Sequence, residues 1–71
     1  MNPRQLYEDF IHGNSIEDND LLEGIRFFKK LANDLCKCGP VFKLAFKETN
    51  SVYIRLHEFA VARNLKKPGE L

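Results

Sequence analysis

The amino-acid sequence predicts a small all-α domain of three helices in which the two long helices pack antiparallel. Apolar residues recur at spacings of three and four along most of the chain, and residues that favour helices fill its last third. A Gly39-Pro40 corner separates the two long periodic segments. Because so short a connection makes the helices it joins neighbours, these segments are expected to form a helical hairpin.

The first helix is predicted over about residues 3–12. Asn2 is a suitable N-terminal cap, and Pro3 fits the first helical position, where its missing N–H is not needed. Gly13 with Asn14 offers the left-handed residue that ends a helix. One apolar edge is formed by Leu6, Tyr7, Phe10 and Ile11. So short a helix is unstable alone and must dock on the rest of the domain.

The second helix is predicted over about residues 16–37. Ser15 opens a capping-box-like start whose acidic residues complement the helix dipole, and an onset at Asn19 is the alternative. The Gly39-Pro40 pair ends this helix because proline cannot continue the hydrogen-bond ladder. The apolar stripe consists of Leu21, Leu22, Ile25, Phe28, Ala32, Leu35 and Cys36.

The segment after Pro40 fits two structures. As a helix over about residues 41–64, it carries one broad apolar stripe. As an α+β alternative, residues 41–56 form a β-hairpin of two alternating strands. The helix is favoured because good helix formers fill the segment and the strand pattern stops before His57. A break near Thr49–Ser51 remains compatible with a helix, since those side chains compete for backbone hydrogen bonds.

A chain of 71 residues makes one domain, expected at 1–65 with a flexible polar tail at 66–71. So small a core contributes only on the order of a few kcal/mol, and self-association as a homo-oligomer, such as a dimer, would add to it. The predicted core consists of Leu6, Phe10, Leu21, Ile25, Phe28, Ala32, Leu35, Phe42, Ala45, Val52, Leu56 and Phe59.

The composition indicates a folded domain in a reducing compartment. Hydrophobic residues make up 44% of the chain and charged residues 30%, which is too apolar for a disordered protein. The N-terminus does not resemble a signal peptide, and no apolar run approaches the roughly 20 residues that cross a bilayer. Only two cysteines are present, at positions too close for an unstrained disulfide. A cytoplasmic location without membrane binding is therefore expected.

Charge is divided unevenly along the chain. Residues 1–35 carry seven acidic and four basic residues, a net charge of −3, whereas residues 36–71 carry three acidic and seven basic residues, a net charge of +4. Such a division suits head-to-tail or antiparallel pairing of like chains, and it could steer the basic half toward an acidic partner.

The cysteines and histidines are the only candidates for metal or nucleophilic chemistry. Cys36 and Cys38 could bind zinc with His12 and His57, but a single intervening residue is the wrong spacing for a structural zinc site. A helix C-terminus also disfavours the thiolate that a cysteine nucleophile requires. We therefore expect no catalytic residue, no metal and no cofactor, with Cys36 buried and Cys38 partly exposed as free thiols.

Basic residues in the last third of the chain are candidate phosphate contacts. They are Lys43, Lys47, Arg55, Arg63, Lys66 and Lys67. Glu48 and Glu58 alternate with them, and no recognition-helix pattern accompanies them, so a solvated helix face is the favoured interpretation. A small DNA-binding regulator that uses the last helix and the basic tail is the alternative function.

A surplus of large apolar residues favours contact with another protein. A core formed by one apolar stripe from each helix does not accommodate all of these residues. An exposed apolar surface often marks an interaction site. The candidate partner-binding residues are Phe27, Phe46, Tyr53 and Ile54. A broad core between three helices would absorb some of these residues instead.

The stretch GPVFKLAFKETNSVY at residues 39–53, continued by FAVAR at 59–63, resembles small uncharacterised accessory proteins of lambda-like tailed bacteriophages and prophages. The resemblance covers about residues 20–63 and includes no catalytic motif. It implies a helical, non-enzymatic protein of the bacterial host cytoplasm. Such a protein would take part in host takeover, modulating host or phage regulators by protein–protein binding.

Overall fold

A computed structural model describes residues 2–67 and contains three α-helices. They are α1 at Pro3–Ile11, α2 at Asp18–Lys37 and α3 at Lys43–Ala62, with a 3-10 turn at Pro40–Phe42 between the last two. No strand occurs among residues 2–67. The predicted all-α fold is therefore confirmed, and the hairpin alternative at 41–56 is wrong. Helix α3 also continues through Thr49–Ser51 without the break that these polar residues allowed.

The short helix α1 begins and ends where the sequence predicts, within one residue. The Asn2 side chain accepts a hydrogen bond from the Arg4 backbone N–H at 2.9 Å, as expected of an N-terminal cap. After the last helical residue, Gly13 adopts a left-handed conformation with φ of 71°. The chain can then turn toward α2 because glycine tolerates this conformation at little cost.

Helix α2 begins two residues later than predicted. The Ser15 capping box does not form, and the residue before the helix is Glu17, in an extended conformation without a side-chain cap. Tertiary contacts account for the difference. Ile16 is buried with 3% exposure, and its carbonyl accepts a hydrogen bond from Arg63. The segment before α2 is therefore held extended by the core rather than continuing as a helix.

The corner between α2 and α3 follows the sequence signals closely. Gly39 has a φ of 92°, which ends α2, and Pro40 opens the 3-10 turn that leads into α3. At the far end of α3, Asn64 adopts a φ of 62° and terminates the helix. Of the predicted polar tail, residues 68–71 lie outside the described part of the chain.

Helices α2 and α3 pack against each other over their length, and α1 docks across one end of that pair. Gly24 marks the docking point, since a Cβ atom there would overlap the Leu6 side chain. Phe10 contacts Phe59 with ring centroids 5.6 Å apart, so the end of α1 lies over the end of α3. The start of α1 lies near Phe27, because Pro3 and Phe27 line one groove.

The core is concentrated at the end that α1 covers. We call residues 2–25 and 53–67 the closed end, and residues 26–52 the distal arm. The buried apolar residues of the closed end are Leu6, Ile16, Leu21, Ile25, Tyr53, Leu56 and Ala60. Ala32 is the one buried residue of the distal arm among those described. The arm is thus a two-helix extension without a core of its own.

This asymmetry decides which core predictions are correct. Buried as predicted are Leu6, Leu21, Ile25, Ala32 and Leu56. Half-buried are Phe10, Phe28, Leu35, Val52 and Phe59. The predictions for Phe42 and Ala45 are wrong, since both are exposed. These two residues lie on α3 or just before it, beyond the reach of α1, so no third helix covers them.

Candidate functional site

The tip of the distal arm exposes large apolar side chains to solvent. Val41 is 87% exposed, Leu44 70% and Phe42 44%. All three lie within the 3-10 turn or the first two residues of α3. A contiguous cluster of this kind is uncommon on a small domain and is typical of an interaction surface.

The faces of α2 and α3 that α1 covers continue along both helices toward this tip. On α2, grooves with α1 are lined by Asp20, Glu23, Gly24, Phe27 and Phe28. Helical spacing carries the face of Gly24 and Phe28 on to Leu31 and Leu35. On α3, Phe59 contacts α1 and Val52 shares a groove with Tyr7 of α1. Toward the tip, the residues at helical spacing from Val52 on the same face are Thr49, Ala45 and Phe42. We call the stretch between these two rows the open channel.

The inner end of the open channel is a groove of about 490 Å³. It is lined by Tyr7, Phe28, Lys47, Glu48, Thr49, Ser51, Val52 and Arg55. A second groove of about 390 Å³ adjoins it, because both include Tyr7 and Phe28. That groove is almost entirely apolar along its walls and is completed by Asn2, Pro3, Arg4 and Phe27. Aromatic rings therefore surround the point where α1 begins.

The four predicted partner-binding residues do not form one surface. Phe27 is 45% exposed beside α1, with its ring 5.2 Å from that of Phe28. Phe46 and Ile54 are half-buried and share a separate groove on α3. The expected exposure of Tyr53 is wrong, since this residue is only 7% exposed. Tyr53 lies one turn from Leu56 on the buried face of α3 and belongs to the core.

The distal arm and the closed end differ in net charge as well as in the number of buried residues. The distal arm carries the basic residues Arg26, Lys29, Lys30, Lys37, Lys43 and Lys47 and the acidic residues Asp34 and Glu48, a net charge of +4. The closed end carries seven acidic and five basic residues, a net charge of −2. The folded chain therefore concentrates positive charge on the part that exposes apolar residues.

The candidate phosphate contacts are distributed over both parts of the molecule. Lys43 and Lys47 lie on the arm, and Arg55 lies exposed on α3 beside Lys47 in one groove. Lys66 is half-buried and Lys67 exposed at the closed end. Of these candidates, Lys47 and Arg55 share one groove, which also contains Glu58.

Arg63 has a structural role that the sequence did not suggest. Its Nη1 atom donates hydrogen bonds to the Ile16 carbonyl at 2.6 Å and to Asp18 Oδ1 at 3.1 Å. Its guanidinium lies 4.5 Å from the centre of the Phe59 ring. These contacts fasten the start of α2 to the end of α3, so the Arg63 side chain is already occupied within the fold.

The cysteines and histidines lie apart. Both cysteines are free and exposed, so the prediction that Cys36 is buried is wrong. Cys36 follows Leu35 by one residue, which turns it about 100° away from the helix interface. The Cys38 thiol donates to the Asp34 carbonyl at 3.2 Å. Within residues 2–67, no group of three or more His, Cys, Asp and Glu side chains is placed to hold a metal ion.

His57 is buried in the closed end with 3% exposure. Its ring centroid lies 6.2 Å from that of Tyr53. Among the described residues no hydrogen-bond partner reaches its Nε2 atom. The sequence placed His57 only as a distant candidate ligand. Its burial follows from its position four residues after Tyr53 and three before Ala60, both of which are buried on α3.

None of the helices in residues 2–67 combines the length and the apolar character needed to cross a membrane. Comparison of the chain with protein-family models, with curated proteins and with solved structures finds no match.

Proposed function

We propose that the protein is a small non-enzymatic accessory protein of a phage or prophage that binds another protein through its distal arm. The binding would modulate host or phage regulation in the cytoplasm of the bacterial host. One observation carries this proposal: the arm exposes Val41, Phe42 and Leu44 and has a single buried residue, Ala32. A partner that covered the arm would remove this apolar surface from water, at about 25 cal/mol per Å².

Self-association remains part of the proposal, and the charge division favours one arrangement. Two arms packed against each other would bring net charges of +4 together, whereas an arm on the closed end of a second copy would pair +4 with −2. Light scattering across micromolar concentrations measures the oligomer directly. Because opposite charges would hold the contact, its stability should decrease as salt is raised.

Affinity capture from a host lysate tests the proposed function. The wild-type chain is compared with a Val41→Ser/Leu44→Ser variant, which makes the arm tip polar at exposed positions. The matched control is Ile11→Ser, which makes the same kind of change at a residue 57% exposed on the closed end. Mass spectrometry should identify a protein captured by wild type and control but not by the arm variant. Equal capture by all three, or by none of them, would refute the proposal.

A DNA-binding regulator is the second candidate, and the net charge of +4 on the distal arm favours it. Binding to duplex DNA should then weaken with salt at a log–log slope of about −0.9 per phosphate contact. The Lys47→Ala and Arg55→Ala variants should each weaken binding, because these side chains share a groove. Lys30→Ala, at an exposed lysine outside the candidate phosphate contacts, serves as the control. Phosphate contacts strengthen as the salt concentration is lowered. If no binding to duplex DNA is detected near about 50 mM salt, this candidate is discarded.

A further inference from the structure

We propose that the open channel of the distal arm is a docking site for an acidic amphipathic helix of a partner protein, seated in line with α1. This inference rests on the proposed function and specifies the chemistry of the partner. It follows from the length of groove that α1 leaves uncovered, from the register of the apolar residues along it and from the charge around it.

The uncovered length is that of a short helix. Helix α1 has 9 residues and α2 has 20. At 1.5 Å per residue these lengths are about 14 and 30 Å, so α1 covers at most about 14 Å of the α2–α3 pair and leaves about 16 Å or more uncovered, equivalent to roughly eleven helical residues. Helix α1 begins at Pro3 beside Phe27, and its Tyr7 lines a groove with Phe28 and Val52. The free stretch therefore lies between these residues and the tip.

The two walls of the channel present apolar residues at helical spacing. Phe28, Leu31 and Leu35 on α2 are half-buried, whereas Ala45 on α3 is exposed. Within the closed end, the same two faces are covered by Leu6 and Phe10 of α1. A helix with apolar residues at every third and fourth position would therefore continue the contacts that α1 makes. A nucleic acid backbone has no apolar stripe to place there.

Positive charge around the channel selects an acidic partner. Arg4, Lys47 and Arg55 line the two grooves that include Tyr7 and Phe28, where Glu48 is the one acidic lining residue. Asp20 and Glu23 line the separate groove beside Leu6. The arm as a whole has a net charge of +4. A second copy that inserted its own arm would meet like charge, which disfavours that arrangement. A second copy that presented its closed end would bring a net charge of only −2, and this occupant is an outcome of the test below. Glutamate and aspartate beside the apolar stripe of a bound helix would instead lie near the lysine and arginine residues around the channel.

The experiment uses three synthetic peptides with the full-length chain and measures binding by fluorescence anisotropy. The probe is a peptide of about 16 residues, long enough to form a helix, with leucine at positions of helical spacing and glutamate elsewhere. A second peptide replaces glutamate by lysine, and a third keeps the composition but scrambles the stripe. We expect the probe to bind at least about tenfold more tightly than either of the other two.

Two chain variants locate the site. Ala45→Glu places a carboxylate in the channel at an exposed residue, and Asn33→Glu places the same charge at an exposed residue on another face of the arm. Ala45→Glu should weaken probe binding about tenfold or more, while Asn33→Glu should change it by about twofold or less. Circular dichroism should show both variants folded. Equal loss in the two variants would indicate attraction by overall charge and would overturn the inference.

Other outcomes separate this inference from the proposed function. If no peptide binds but a lysate protein is still captured through Val41 and Leu44, the acidic-helix site is wrong and the proposed function stands. If neither experiment detects binding, both are wrong. If Ala45→Glu dissociates a dimer seen for the wild type and for Asn33→Glu, a second copy occupies the channel and the inference is overturned. Equal binding of the scrambled peptide would also overturn it.

Discussion

The closed end and the distal arm are built from the same two helices but differ in what covers them. In the closed end, α1 closes the groove between α2 and α3, and Leu6, Leu21 and Leu56 are almost completely buried. In the arm, the equivalent positions on the two helices are half-buried or exposed, apart from Ala32. An amphipathic stripe therefore becomes a core only where a third element covers it, and elsewhere it remains available for a partner.

The difference implies an unequal distribution of stability. Most apolar burial lies in the closed end, so that end should determine the free energy of unfolding. The arm contributes mainly helix–helix contact around Ala32 and should open at lower cost. A partner that bound the arm would stabilise it by mass action. Paired substitutions, one in each part, test this comparison.

The largest expected effect is that of Leu56→Ala in the closed end. Leu56 is fully buried and contacts a tightly packed core, so the free energy of unfolding should decrease by about 2–5 kcal/mol. Leu35→Ala in the arm should cost only about 1 kcal/mol, because Leu35 is half-buried. Urea denaturation followed by circular dichroism measures both. Equal losses would show that the arm has a core comparable to that of the closed end.

Gly24→Ala should have the next largest effect. The added methyl group would overlap the Leu6 side chain, which is itself buried, so α1 must shift. We expect a loss of about 1–3 kcal/mol despite the higher helix propensity of alanine. Asn33→Ala, at an exposed position of the same helix, should instead be neutral or slightly stabilising. Thermal melts compare the two, and a stabilising Gly24→Ala would show that α1 is not fixed against α2.

Arg63→Ala should have a moderate effect. Its hydrogen bonds to the Ile16 carbonyl and to Asp18 connect the start of α2 with the end of α3. Because Arg63 is partly exposed, we expect a loss of about 1–2 kcal/mol. Arg26→Ala on the exposed surface of the arm should change stability by less than about 0.5 kcal/mol. Indistinguishable urea midpoints for the two variants would contradict the role assigned to Arg63.

The smallest effects are expected for the cysteines. Both thiols are exposed on the arm, so Cys36→Ser and Cys38→Ser should each change stability by less than about 0.5 kcal/mol. The sequence assigned Cys36 to the apolar stripe and predicted that it is buried, and a hydroxyl at a buried position would cost more. A thermal melt of Cys36→Ser decides between the small effect expected from the structure and the larger one expected for a buried thiol. A loss above about 1 kcal/mol would show that the thiol is buried in solution.

Local sequence signals predicted most of the helix boundaries. The Asn2 cap, the Gly39-Pro40 corner and Asn64 each end or begin a helix as the sequence predicts, because capping and left-handed turns depend on neighbouring residues. The onset of α2 was missed because Ile16 is drawn into the core, which is a contact with a distant part of the chain. The apolar periodicity of the sequence does not show that Ile16 packs in the core instead of starting the helix.

What the sequence by itself determined is the helical class, the corner and the apolar stripe of each helix. What only the tertiary structure decided is where α1 lies, and thus which part of each stripe is covered. That placement depends on the close approach of Leu6 to Gly24, and no local pattern encodes the distance between two residues so far apart in sequence. The same placement leaves Phe42 and Ala45 exposed, because α1 spans only about half the length of the helices beneath it.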